Sequence, residues 1–416
     1  MKFTRLLTLI TALLAFSKLY ADNDQTRSFN PTPGEITIGA STPIADKVTP
    51  THQSYVDLVE CGFNLGLNDG SISYFKEQFK LIGDLNFKYL IQSADLYSDR
   101  RKDYIKAFSK DPHFGGWKFK DEPKYDALPE LKRQYQAMLK ADPDNLIYLN
   151  LVGVVEKNFT GPFTKFYDYL EYFQKMFQPE IWSFDYYPIL IKNGKIKVVY
   201  DTFYSALEDF KTISIKTGRP FWAYCESLAY KTKSYSRPEA TEAYLRFEAF
   251  SALAYGAQGI IYWTYGQRTS NSVETYLSAL ENSNGKKTKA WQAAKKVNGE
   301  IKKYNDVFYN CKVKDLRHTG DVTYPGTKKL TGEFGPFRTV KSGASGVVVS
   351  FIENKGSEYI VIVSRDVLSN QKISLELKPD TNLIDLTQAT NNRFSGGQTI
   401  NFTLNKGGYR IYKIEK

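Results

Sequence analysis

Short apolar runs alternate with longer amphipathic stretches over the first three quarters of the chain. Eight runs carry the apolar and aromatic residues typical of buried strands, and they cover 36–42, 63–67, 87–94, 114–119, 146–152, 181–187, 220–225 and 259–265. The spacing between successive runs leaves room for a strand, a helix and two loops each time. The pattern therefore predicts eight consecutive βα units.

The stretches between the runs have helical periodicity, as in 127–141, 163–177 and 204–217. In the segment 238–255, Pro238 suits a first helical position and Gly256 a terminus. Eight such units close most naturally into an α/β fold of the (β/α)8 or TIM-barrel type, whose active site lies at the C-terminal ends of the strands. An open doubly wound sheet is the alternative, but no glycine-rich phosphate loop follows the first run.

The pattern changes near residue 320 to short alternating runs separated by turn signals. No long helical stretch interrupts them, which is typical of a small antiparallel β-sandwich. We therefore expect a barrel over 36–305, a linker over 306–319 and a sandwich domain over 320–416.

The N-terminus has the pattern of an export signal. Lys2 and Arg5 precede an apolar stretch over 6–16, which is too short to span a bilayer, and a plausible cleavage site follows Ala21. We expect a signal peptide over 1–21, an N-terminal linker over 22–35 and no membrane span. The protein should be exported, to the periplasm or the extracellular space.

Composition removes several classes of function. The formal net charge is +11, but the basic residues are spread along the chain without a recognised nucleic-acid motif, so nucleic acid is not an expected partner. The three histidines lack metal-site spacing, and no Gly-x-Ser-x-Gly motif is present. Neither a metal nor another cofactor is expected, and the oligomeric state stays open.

Two glutamates stand at the ends of predicted strands four and seven. Glu122 follows the run Gly-Trp-Lys-Phe-Lys-Asp at 116–121, and Glu226 follows Phe-Trp-Ala-Tyr-Cys at 221–225. A retaining glycosidase needs two carboxyl groups about 5–5.5 Å apart, one as acid/base and one as nucleophile. Strand ends of one barrel can supply both, so the pair predicts hydrolysis of an oligo- or polysaccharide.

The chain resembles the retaining glycoside hydrolases of clan A, in which the acid/base lies on strand four and the nucleophile on strand seven. The motifs at 62–64, 116–117, 121–123, 185–188 and 255–263 are similar to family 42-type, β-galactosidase-like barrel proteins of Bacteroides relatives. The resemblance implies that Glu122 is the acid/base and Glu226 the nucleophile. It departs at Asp121, where clan A members commonly have Asn and use it to contact the sugar 2-hydroxyl.

Further polar and aromatic residues of the runs are candidates for contacts with carbohydrate. They are Asn64, Trp117, Asp121, Asn150, Asp185, Tyr186, Tyr187 and Trp263. We expect the neighbouring charge of Asp121 to raise the pKa of Glu122, while Glu226 stays ionised. Two alternatives remain open: a carbohydrate-binding barrel without catalysis, and a scaffold for protein contacts.

Overall fold

The computed structural model describes residues 29–390 and 392–415. Its first part is a closed barrel in which the first strand pairs with both the second and the eighth, all in parallel. The barrel strands are Thr37–Ser41, Leu65–Asp69, Lys88–Gln92, Phe114–Asp121, Ile147–Val152, Trp182–Asp185, Phe221–Glu226 and Gly259–Trp263. The (β/α)8 prediction is confirmed. The predicted signal peptide lies outside the described residues, as does the first half of the N-terminal linker, 22–28.

One long helix follows each barrel strand. These helices are His52–Glu60, Ile72–Ile82, Arg101–Phe108, Leu128–Ala141, Phe166–Phe177, Tyr200–Thr217, Glu242–Ala254 and Lys289–Lys303. The seventh begins at Glu242 and not at Pro238, because the Thr241 hydroxyl caps it by accepting a hydrogen bond from the Tyr244 N–H. Within the described ranges no helix is long and apolar enough to cross a membrane.

Strand side chains alternate between the barrel interior and the surrounding helices, so each strand contributes to two apolar layers. Leu67, Trp222 and Ile261 belong to the interior cluster. Trp117 and Trp182 belong to the layer between strands and helices. Gly259 is required beside Trp222, because a Cβ at this glycine would lie 2.4 Å from the indole ring.

The fourth barrel strand is irregular near its C-terminal end. Lys118 pairs with Tyr148 and Lys120 with Leu149, so the register with the fifth strand shifts by one residue. Such a β-bulge changes the face to which the following residues point. It brings Lys118 and Asp121 together, with Nζ and Oδ2 2.8 Å apart, although residues three apart on a regular strand lie on opposite faces.

A second sheet lies in the loops after strands six, seven and eight. Its five strands, in spatial order, are Thr275–Ser278, Ala229–Lys231, Ser236–Arg237, Ile189–Lys192 and Lys195–Val198. These loops leave the C-terminal ends of the barrel strands, which is the end where barrel enzymes carry their active sites. We call it the mouth sheet.

The C-terminal part is a two-sheet β domain, as predicted. One sheet contains Lys312–His318, Val347–Asn354, Ser357–Ser364, Tyr409–Glu415, Asn382–Asp385 and Arg393–Phe394; the other contains Phe337–Lys341, Gln371–Leu377 and Thr399–Leu404. The predicted linker over 306–319 is wrong in part, because Lys312–His318 is an edge strand paired with Val347–Asn354.

The domain packs directly on the barrel. Phe250 stacks on Tyr409 with ring centroids 3.7 Å apart, and the Ser350 hydroxyl donates to the Ala254 carbonyl at 2.7 Å. The apolar layer around the barrel continues into the sheet through Val348, Val361 and other residues. The barrel and the domain therefore share one apolar layer, while a separate cluster fills the space between the two sheets of the domain.

Candidate active site

A cavity of about 500 Å³ opens at the C-terminal ends of strands four to eight. Seven of the ten predicted site residues line it: Asp121, Glu122, Asn150, Asp185, Tyr186, Tyr187 and Trp263. The wall also contains residues that were not predicted, among them Glu156, Tyr224, Tyr230, Tyr235, Arg237 and Glu274. A pocket of aromatic faces and a few polar groups is the usual form of a small-molecule site.

Glu122 leaves the fourth strand in a left-handed conformation, with φ of 40°. Such a conformation is unfavourable for a residue with a side chain and occurs at turns and at functional sites. A hydrogen bond of 2.9 Å from its N–H to the Asn150 carbonyl holds the backbone there. Burial raises the pKa of the Glu122 carboxyl, and the neighbouring charge of Asp121 raises it further, as expected.

Asp121 belongs to a network beneath Glu122. Its Oδ2 accepts from Lys118 Nζ at 2.8 Å, and its Oδ1 accepts from Asn150 Nδ2 at 3.0 Å. Burial alone would raise the pKa of this carboxyl, but Lys118 and Asn150 lower it. Asp121 is therefore the ionised carboxylate of this wall.

Glu226 ends the seventh strand and is only 5% exposed. Its Oε1 accepts from the Leu228 N–H at 3.1 Å, and its own N–H donates to Glu248 Oε2 at 2.8 Å. Burial raises the pKa of the Glu226 carboxyl well above its usual range, while the charge of Arg237 opposes that shift. The expectation that only Glu122 would be raised is therefore wrong, because desolvation at the end of a buried strand acts on both groups.

Arg237 of the mouth sheet lines the cavity and approaches Glu226. Its Nε is 3.8 Å from Glu226 Oε2, and its guanidinium donates to the carbonyls of Tyr187 and Ile189 at 2.5 and 2.9 Å. Neither Arg237 Nε nor Glu226 Oε2 has a hydrogen-bond partner. Sequence reasoning missed this residue because it lies in a loop between two barrel units.

The sixth and eighth strands contribute the remaining predicted residues of the cavity. Asp185 Oδ1 accepts from Asn150 Nδ2 at 2.7 Å, which joins strands five and six. Trp263 pairs with Glu226 in the barrel register, and the guanidinium of Arg268 lies 5.3 Å from the centre of its ring. The Trp263 ring is thus held at the wall, where it can stack on a sugar.

Asn64 does not reach the cavity, so its predicted contact with carbohydrate is corrected. The second strand runs from Leu65 to Asp69, two residues later than the predicted run, which places Asn64 at the N-terminal end of the barrel. There its Oδ1 accepts from the Ile38 N–H at 2.8 Å and its Nδ2 donates to the Ile36 carbonyl at 3.1 Å.

Trp117 is also corrected. Its side chain is fully buried on the helix side of the fourth strand, where the ring packs on Phe114 with centroids 4.4 Å apart. Its Nε1 donates to Asp142 Oδ2 at 2.7 Å. Asn64 and Trp117 therefore stabilise the barrel and do not line the cavity.

Comparisons with known proteins agree with this fold. The model of the Glyco_hydro_42 family, described as beta-galactosidase, matches residues 118–304, a range that includes both glutamates. Beta-galactosidase YesZ of Bacillus subtilis (strain 168) is 39% identical over 69 residues, which are 16% of this chain. The chain spans only 10% of the length of YesZ.

Solved structures resemble the chain over nearly its whole length. Gan42B, a GH42 beta-galactosidase from G. stearothermophilus, has a TM-score of 0.60 at 9% identity, with 94% of this chain and 100% of that chain covered. The beta-galactosidase from Bacillus circulans sp. alkalophilus has a TM-score of 0.58 at 9% identity, with 92% and 99% covered. At this identity the likeness shows the fold alone.

The fold defines the class of protein, a (β/α)8 barrel with a two-sheet β domain packed on it. Over residues 118–304 the chain resembles family 42. The predicted resemblance to clan A and family 42 is confirmed; the link to Bacteroides relatives stays a prediction.

Proposed function

We propose that the protein is an exported retaining glycoside hydrolase, with Glu226 as nucleophile and Glu122 as acid/base. The observation that carries the proposal is the placement of the two glutamates at the C-terminal ends of the fourth and seventh strands of one closed barrel. Glu122 lines the cavity, and Glu226 lies behind it against Arg237.

The reaction would proceed by double displacement. Glu122 would protonate the leaving oxygen while a carboxylate oxygen of Glu226 attacks the anomeric carbon and breaks the glycosidic bond. Water would then attack the same carbon, releasing Glu226 and returning a proton to Glu122. Aromatic residues such as Tyr187, Tyr230 and Trp263 offer faces on which sugar rings can stack.

The description of the matched family makes a β-galactoside the first substrate to test. A panel of aryl glycosides and oligosaccharides should include it together with other sugars and linkages. Wild type should hydrolyse at least one member with retention of configuration, which proton NMR of the first product anomer would record.

Glu226→Ala provides the decisive variant, with Glu239→Ala as a control on an exposed glutamate. Loss of the nucleophile should lower hydrolysis by several orders of magnitude, while azide should restore turnover of an activated aryl glycoside and give an inverted product. Glu239→Ala should match wild type. Equal activity of wild type and Glu226→Ala would refute the proposal.

The alternative is a carbohydrate-binding barrel without catalysis. Two observations favour it: Glu226 is almost fully buried behind Arg237, and Asp121 stands where clan A members commonly have Asn. This alternative predicts that wild type binds oligosaccharides in calorimetry but hydrolyses nothing on the panel. The Glu226→Ala variant should then bind these oligosaccharides as tightly as wild type.

Export rests on the sequence of the first 21 residues. The test is N-terminal sequencing of the mature protein from fractionated cells. A new N-terminus near Asp22 in the periplasmic or extracellular fraction would support it, and an intact Met1 in the cytoplasmic fraction would contradict it.

A further inference from the structure

Asn150 on the fifth strand lines the cavity, yet both of its hydrogen-bond donors are used inside the wall. Its Nδ2 donates to Asp121 Oδ1 at 3.0 Å and to Asp185 Oδ1 at 2.7 Å. An amide nitrogen carries two hydrogens, so these two bonds use both. The Ser183 hydroxyl donates to Asn150 Oδ1 at 2.8 Å, which fixes the orientation of the amide. Asn150 therefore has no N–H group left for a ligand.

Two buried hydroxyl groups support this amide from the barrel interior. Ser183 uses its single hydrogen on Asn150, so in its contact of 2.6 Å with the Tyr148 hydroxyl it is Tyr148 that donates. The side chains of Tyr148 and Ser183 are each only 1% exposed. The hydrogen bonds thus run in one direction, from Tyr148 through Ser183 to Asn150 and on to Asp121.

The second oxygen of Asp121 is held by a buried cation. Its Oδ2 accepts from Lys118 Nζ at 2.8 Å, and 8% of the Lys118 side chain is exposed against 38% of the Asp121 side chain. Burial raises the pKa of Asp121, but Lys118 and Asn150 lower it by more, so the group is an anion. A carboxylate has about four acceptor positions and no hydrogen to donate. The exposed part of Asp121 therefore binds a ligand only by accepting hydrogens.

The place of Asp121 in the chain indicates which part of a sugar it meets. It directly precedes Glu122, the proposed acid, and both residues line the cavity. Glu122 has to reach the glycosidic oxygen on the anomeric carbon, and the ring substituent next to that bond is the one on carbon 2. We expect the group on carbon 2 to be the one nearest Asp121.

We propose that Asp121 is a specificity-determining residue that requires a hydrogen donor on carbon 2 of the sugar, and that Asn150 is the positioning residue that holds it. The orientation of the sugar rests on the proposed function, because it takes Glu122 as the acid. A free hydroxyl or amino group donates to Asp121, whereas an ether, a fluorine or a sulfate on carbon 2 offers acceptors alone. The substrate class is therefore glycosides with a free hydroxyl or amino group on carbon 2. Asn150 acts through Asp121 and does not touch the sugar.

The charges of the cavity act in the same direction. Among the described residues that line it are the acids Asp121, Glu156 and Glu274 and one basic residue, Arg237, whose guanidinium already donates to two carbonyls. An anionic substituent next to these carboxylates is repelled. The formal net charge of +11 would by itself attract sulfated polymers, and the lining of the cavity opposes that attraction.

Calorimetry on wild type tests the donor requirement without hydrolysis. The probes are phenyl 1-thio-β-D-galactoside, whose sulfur link resists hydrolysis, and its 2-deoxy-2-fluoro, 2-amino-2-deoxy and 6-deoxy-6-fluoro analogues. The 2-fluoro analogue should bind at least about tenfold more weakly than the parent, the effect of losing one hydrogen bond to a charged group. The 2-amino analogue should bind at least as tightly as the parent. The 6-fluoro analogue is the matched control for fluorine at a position remote from Asp121.

A double variant reverses the hydrogen bond. Lys118→Met with Asp121→Asn removes both charges together, so that no buried charge is left unpaired. The new amide offers an N–H group, so the ratio of affinities between the parent and the 2-fluoro analogue should fall below about threefold, while the 6-fluoro ratio stays unchanged. Asn150→Ala alone should also lower the 2-fluoro ratio. In the double variant it should have no further effect on that ratio, because Asn150 acts through Asp121.

Equal affinity of wild type for the parent and the 2-fluoro analogue would overturn the proposal, as would binding of none of the probes. If Asn150→Ala weakened all four probes by the same factor, Asn150 would contact the sugar directly and its positioning role would be wrong. Should the double variant fail to fold, the probe series on wild type and Asn150→Ala decides. A 2-fluoro penalty without hydrolysis by wild type would reject the hydrolase and retain the role of Asp121, and hydrolysis without that penalty would do the reverse.

Discussion

Arg237 Nε lies 3.8 Å from Glu226 Oε2, and both atoms are buried without any hydrogen-bond partner. The guanidinium is held by the carbonyls of Tyr187 and Ile189, so its position is set by the loops and not by the carboxylate. A buried carboxylate needs an opposite charge to stay ionised. The mouth sheet thus supplies a charge that offsets part of the desolvation of the carboxyl group of Glu226, the proposed nucleophile.

The first prediction concerns Arg237. Arg237→Met should lower kcat/KM by about a hundredfold, the usual effect of removing one preorganised charged donor. Arg237→Lys should lie between this variant and wild type, because it keeps the charge and loses the planar fork that bonds two carbonyls. Steady-state kinetics on a hydrolysed aryl glycoside provides the measurement.

Arg268→Met is the matched control, since Arg268 also has a buried unpaired Nε but contacts the Trp263 ring. It should alter KM more than kcat. If both methionine variants behave alike, the Arg237 contact with Glu226 has no special role.

The second prediction separates the two glutamates by leaving group. In Glu122→Ala, hydrolysis of a substrate with an activated leaving group should survive far better than that of an ordinary disaccharide, because only the latter needs protonation. In Glu226→Ala both substrates should fail together. The measurement is the ratio of the hydrolysis rates of the two substrates in each variant. If Glu122→Ala lowered both rates by the same factor, the acid role of Glu122 would be wrong.

The third prediction concerns stability and pH. Burial raises the pKa of Glu248, which accepts from the Glu226 N–H, to about 8. An acid whose pKa is raised in the folded protein stabilises it below the unfolded pKa and loses that contribution as pH rises through the folded pKa. Between about pH 4.5 and 8, Glu248 should therefore lower the free energy of unfolding by up to about 1.4 kcal/mol per pH unit.

Glu248→Gln removes this titration and keeps an oxygen for the Glu226 N–H. Urea unfolding at several pH values should show wild type losing stability relative to the variant as pH rises through this window. Parallel curves for the two proteins would show that Glu248 titrates normally.

The fourth prediction follows from the corrected position of Asn64. Asn64→Ala should lower the free energy of unfolding by about 1–3 kcal/mol, because the Ile38 N–H and Ile36 carbonyl lose their buried partner. KM should be unchanged, since the side chain lies at the opposite end of the barrel from the cavity. If Asn64→Ala raised KM and left the free energy of unfolding unchanged, Asn64 would have to contact the substrate after all.

The barrel could be predicted because its strands are buried on both faces and therefore appear as apolar runs at regular spacing. Strand ends were predicted less well. The second run was placed two residues early, which assigned Asn64 to the wrong end. The bulge in the fourth strand left no apolar signal, so the pairing of Lys118 with Asp121 was not foreseen.

The mouth sheet could not be predicted for a different reason. Its strands have two to four residues, and strands such as Lys195–Val198 are partly exposed, so they lack the pattern of a buried run. Arg237 of this sheet and Glu274, which directly precedes its strand Thr275–Ser278, line the cavity, and only the fold brings them near Glu226. Strand-end carboxylates follow from the repeat, whereas their partners depend on loop geometry.

The packing of the C-terminal domain limits how the barrel can be studied in isolation. The helix Glu242–Ala254 carries Glu248 towards Glu226 on one side and meets Tyr409 and Ser350 on the other. Cutting the chain before residue 312 would expose the apolar side of this helix to water. A shortened chain would thus lose solubility and nucleophile alignment together, and exchange of the C-terminal domain between relatives would have to preserve the helix surface it covers.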